Sequence, residues 1–217
     1  MKTIGAPLLL AGAACALSVP FLASSGVRSH LPFASTAFAL PLGGAAAAAL
    51  GGGFGAAART TLALLPALLG AFAIGAGRLL LLPCALALVF SFALAAGGIA
   101  RLLDRALGPG VGVAAACLIV VLATTSPWWI EPVLRAPLGT AARERAATLA
   151  LAVNPVASAC DLFGTDWMRR DRMYGTSSIG PHVPYRYPAW ERYALAAATL
   201  GTLLALPSAR GAPEARR

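Results

Sequence analysis

The chain has 217 residues, 59% of them hydrophobic and 12% charged, with a mean hydropathy of +0.76 and a net charge of +9. Soluble domains carry about 25% charged residues, so this composition excludes a soluble globule of the same size. The positive charges are mostly single arginines between apolar runs, which suits anionic headgroups and excludes a basic nucleic-acid surface.

Lys2 followed by an apolar run to about residue 24 reads as an uncleaved first membrane helix, since no A-x-A cleavage pattern follows it. Residues 36–58 are weakly hydrophobic and glycine-rich. In a bilayer the backbone must satisfy itself, so helix is expected there too. Gly51 and Gly55 form a G-x-x-x-G inside this run, a spacing that lets helix backbones approach closely. Arg59 and Arg78 bracket a helix expected over 61–77, and a second follows over 80–100. Arg101, Asp104 and Arg105 then make a short charged connection.

A further helix is expected over 111–126, ending at Pro127, Trp128 and Trp129; paired tryptophans suit the headgroup level. Residues 140–163 form the next helical stretch, apolar from 146 onward but carrying Asn154, Pro155 and Asp161. Proline removes a backbone hydrogen bond and disfavours helical geometry in the residue before it. A kink or break is therefore expected at Asn154, with 146–163 either crossing or re-entering the membrane. The last apolar run is 193–207, followed by a basic tail.

The fold expected is an all-α, polytopic transmembrane helical bundle with six or seven spans, forming one integral membrane domain over 1–217. Within it, 1–126 reads as an apolar scaffold, 127–192 as a polar and aromatic interfacial region, and 193–217 as a final helix and tail. Lys and Arg divide almost evenly between alternate loops, so orientation is not set by the positive-inside rule. All eight acidic residues lie after position 103, and all four tryptophans and four tyrosines lie between 128 and 193. Specificity is thus expected in the second half of the chain.

Asp161, Asp166 and Asp171 recur every five residues. Five residues turn a helix by about 500°, so these carboxylates do not share a face and make a poor metal site. Cys15, Cys84, Cys117 and Cys160 lie in separate runs with no zinc spacing. Arg169, Arg170 and Arg172 cluster beside Trp167 and Met168. They suit either lipid phosphates or an anionic substrate or partner. Pro181, Pro184 and Pro188 forbid regular helix, and with Tyr185, Tyr187 and Trp190 they describe an extended aromatic strap over a membrane face. His182 has no second ligand nearby in sequence and reads as structural. No G-x-S-x-G, H-E-x-x-H, Walker or nucleotide-loop motif occurs. Neither catalysis nor a cofactor is expected.

Short apolar helices, the late Asn154–Pro155 pair, a polar connection and a final helix resemble the membrane subunit of ABC-2 type exporters. The resemblance implies a permease without its own ATPase, working as a homodimer in the lipid bilayer with a separate ATPase subunit. The rival expectation is an accessory or assembly subunit of a larger membrane complex, docking through the 164–190 strap.

Overall fold

The computed structural model describes residues 30–75, 78–108, 110–166 and 185–206, and among them every regular element is helical. The helices are α1 (Leu31–Ala49), α2 (Gly53–Ile74), α3 (Leu82–Leu107, led by a 3₁₀ turn at Leu79–Leu81), α4 (Val111–Thr124), α5 (Ser126–Trp129), α6 (Glu131–Arg135), α7 (Thr140–Val153), α8 (Pro155–Phe163) and α9 (Trp190–Ala205).

The run expected as one helix over 36–58 is two helices. Gly51, Gly52 and Gly53 have φ of +82°, +67° and +79°. Only glycine adopts this conformation freely, and three in succession reverse the chain between α1 and α2. Arg101 of α3 closes the turn by donating from Nε to the Gly51 carbonyl at 2.6 Å. Gly51 and Gly55 therefore straddle a reversal instead of sharing a helix face, and a methyl group on either would meet no atom within 4 Å.

The close approach belongs to other glycines. α3 is the central helix and touches α1, α2, α4 and α9. A Cβ on Gly97 would lie 2.7 Å from the Gly52 Cα, and one on Gly98 would lie 3.2 Å from the Gly201 carbonyl of α9. On α1, a Cβ on Gly44 would lie 2.8 Å from the Phe92 ring. Around these contacts Leu40, Leu64, Leu68, Phe72, Leu88 and Val89 are fully buried.

α4 and α8 stand end to end along α1. Ala116 of α4 clusters with Ala48, a Cβ on Gly44 would meet Val120 at 3.3 Å, and Thr124 shares a cavity wall with Phe38 and Pro41. The same wall includes Val156 at the start of α8. At its far end, Phe163 meets Phe33 edge-on at 6.1 Å and Phe72 at 5.8 Å. Two short helices, distant in sequence, thus form one column. Its junction lies beside the middle of α1, and α5–α7 are inserted there as a lateral arm.

Among the described residues three helices are long and apolar enough to cross a membrane: Leu31–Ala49, Gly53–Ile74 and Leu79–Leu107. Two bent pairs raise the number to five, α4 with α5–α6 at 70° and α7 with α8 at 87°. The described residues thus hold three to five candidate spans, and the expected six or seven are not confirmed. The 111–126 and 146–163 runs belong to bent pairs, and the final run forms a 16-residue helix of about 24 Å. The expected first helix, residues 1–24, lies outside the described residues.

Candidate functional site

The two breaks in the backbone meet at one side chain. Asn154 is 1% exposed and sits between α7 and α8 in extended conformation. Pro155 has no N–H to continue the α7 ladder, so the helix ends and α8 begins with proline at its first position. The Asn154 Oδ1 accepts from the backbone N–H of Val156 at 2.8 Å and of Ala157 at 3.2 Å. This is the capping geometry that satisfies orphan donors of a helix start.

The other half of the amide reaches across to the second break. The Asn154 Nδ2 donates to the Thr124 carbonyl at 2.9 Å, the last residue of α4, and to the Ser126 Oγ at 3.1 Å. The Ser126 hydroxyl in turn donates to the Ala150 carbonyl at 2.7 Å. In an unbroken helix Ala150 would accept from the Asn154 N–H, which here goes to Leu151 at 3.1 Å. Trp129 folds back and donates from Nε1 to the Leu122 carbonyl at 2.6 Å. Polar groups freed by one break are thus taken up by residues of the other, as apolar surroundings demand. Trp128 and Trp129 follow this turn, at the middle of α1's length instead of at an end of the bundle.

Beside the junction lies a cavity of about 160 Å³ walled by Phe33, Ala37, Phe38, Pro41, Thr124 and Val156. Its lining is almost wholly apolar. One turn into α8, Ser158 is fully buried and its hydroxyl has no hydrogen-bond partner.

The far end of α8 carries the second polar group. Gly164, at φ +58°, ends the helix in left-handed conformation. The Thr165 N–H bonds to the Cys160 carbonyl at 2.9 Å and the Gly164 N–H to that of Asp161 at 3.1 Å, a Schellman ending. Arg78 donates to the Phe163 carbonyl at 2.9 Å, tying the α2–α3 connection to the same point. Asp161 Oδ2 accepts from the Trp190 N–H at 3.0 Å, placing a carboxylate at the N-terminus of α9, where the helix dipole favours it. Asp166 Oδ1 accepts from the Tyr185 hydroxyl at 2.6 Å and the Tyr187 hydroxyl at 2.8 Å.

Asp161 and Asp166 therefore serve different partners. Asp171, Arg169, Arg170 and His182 lie outside the described residues. Among the described residues no group of three or more His, Cys, Asp or Glu is placed to hold a metal ion. Tyr185, Tyr187 and Trp190 are half-buried. Tyr187 and Trp190 pack on the main core, and Tyr185 and Tyr187 on the cluster around Leu134 and Leu151. This part of the expected docking strap is turned inward. Ser126, Thr124 and Arg78 were not singled out from sequence. Ser126–Pro127 is the helix-start signal that marks the first of them.

Among the described residues the elements are all helical, and several apolar helices, three to five of them candidate spans, fit a membrane protein. No protein-family model, no curated protein and no solved structure matches the chain.

Proposed function

We propose that this chain is a transport permease subunit of the cell membrane, non-enzymatic and of the ABC-2 export kind, driven by a separate ATPase subunit. One observation carries the reading: a column of the bundle is built from two half-helices that meet on Asn154 beside the middle of α1 and an apolar cavity. Helices broken at membrane depth are a recurring feature of transporters, because half-helices can shift without unwinding a full span. In this reading Asn154 is the latch between α4 and α8, and the cavity lies where such a shift would open the bundle. The alternative is an accessory or assembly subunit docking through 164–190, within which Arg186 is exposed.

The test is affinity purification of the tagged chain from its native membranes. An ATPase is expected to co-purify, and Asn154→Ala is expected to lower ATP-dependent export from proteoliposomes while the chain still inserts. Purification without any ATPase sinks the permease reading. Recovery of a stable multi-subunit complex lacking an ATPase favours the accessory reading.

A further inference from the structure

With α1 crossing a bilayer, the lateral arm α5–α7 would leave the bundle near its middle and carry charge there. α4 and α8 both run along α1, so α1 defines the bundle axis. α7 is bent 87° from α8 and therefore runs nearly at right angles to that axis, outward from the middle of α1. Arg143, Glu144 and Arg145 lie toward its outer end. A charged side chain at the bilayer centre is costly unless it is paired. The arm handles part of its charge internally. Arg135 pairs with Glu131, and Arg143 is half-buried and donates to the Ala136 carbonyl at 3.2 Å. The side chains of Glu144 and Arg145 have no partner among the described residues.

We infer that a second copy of this chain covers the arm, with the two α7 helices packed antiparallel about a twofold axis near Glu144 and Arg145. A twofold interface needs a patch complementary to itself. Adjacent opposite charges are such a patch: antiparallel packing sets each Glu144 against the partner's Arg145, and both pairs are neutralised together. Lipid has no cation to offer Glu144 at that depth. Ala141, Thr148, Leu149 and Ala152 beside them are exposed. The small residues among these permit close helix approach, and Leu149, 68% exposed, gains an apolar cover. The inference rests on the bundle crossing a membrane and is independent of transport and of any ATPase.

The experiment uses full-length chains freed of native cysteine, with two differently tagged copies co-expressed in membranes. One carries Ala141→Cys and the other Thr148→Cys, positions that face each other in the antiparallel pair. Oxidation is expected to give a mixed disulfide between the tags. Glu144→Arg in both chains should lower its yield about tenfold or more, because a buried charge then meets its like. Adding Arg145→Glu should restore the yield, which also shows that the variant chain folds. No mixed disulfide, a yield indifferent to Glu144→Arg, no rescue by Arg145→Glu, or cross-links only to other proteins would each overturn the second-copy interface. Rapid labelling of either cysteine by a membrane-impermeant maleimide would overturn it too, by placing the arm in water.

Discussion

α3 and α8 are both central to the bundle, yet they are held there by opposite means. α3 is held by shape: Gly97 and Gly98 let the backbones of the α1–α2 turn and α9 come within contact distance. α8 is held by polar side chains: Asn154 fixes its start, and Arg78 and Asp161 bind its far end to other elements. The contrast follows from chain continuity. A long helix keeps its backbone bonds and needs only a complementary surface. A half-helix exposes its ends and needs donors and acceptors supplied from elsewhere. The two regions should therefore fail under different substitutions.

The largest effect is expected at α3. Gly97→Leu pushes a side chain into the backbone of Gly52 and should cost about 3 kcal/mol or more. Size-exclusion chromatography in mild detergent should show loss of the monodisperse peak. A normal peak would break the claim that α3 is held by close backbone contact.

Next comes the junction. Asn154→Ala strands two N–H donors and the Thr124 carbonyl, an expected loss of about 2–3 kcal/mol. Ser126→Ala should cost about 1 kcal/mol. Because the two residues share one network, the double variant should fall short of the sum by about 1 kcal/mol. Unfolding curves in sodium dodecyl sulfate measure all three. Strict additivity would separate the two breaks that the structure joins.

A smaller change is expected at the strap. Tyr185→Phe with Tyr187→Phe removes both bonds to Asp166 and should cost about 1 kcal/mol, read as faster proteolytic cleavage within 164–190. Replacing Tyr185, Tyr187 and Trp190 together by alanine is a poor test of docking, since Tyr187 and Trp190 also pack on the core. The smallest effect sharpens the comparison from the other side. A Cβ on Gly55 would meet no atom within 4 Å, so Gly55→Ala should shift stability by no more than about 0.5 kcal/mol. A large loss there would restore the G-x-x-x-G reading.

Hydrophobic runs made the helices legible, and Pro155 made the break at Asn154 legible, because both are local properties of the chain. The reversal at Gly51–Gly53 was hidden for a physical reason. In a bilayer glycine is compatible with helix, so three glycines do not announce a turn without knowing that Gly97 and Arg101 wait on α3. The partnership of Asn154 with Thr124 and Ser126 was hidden because it is a tertiary contact between segments whose local patterns are independent. The same holds for Asp161: its spacing from Asp166 excluded a shared carboxylate face, but nothing local pointed to the N-terminus of α9.

The α4–α8 column also bears on how the protein is made. Insertion machinery recognises stretches of about twenty apolar residues as they emerge. α4 has 14 residues and α8 has nine, so neither half qualifies alone. The column is completed only after the whole arm has been synthesised, when Asn154 arrives to join a waiting helix end. Until then the part of α1 from Phe33 to Phe38, which Phe163 and Val156 later cover, has an open flank.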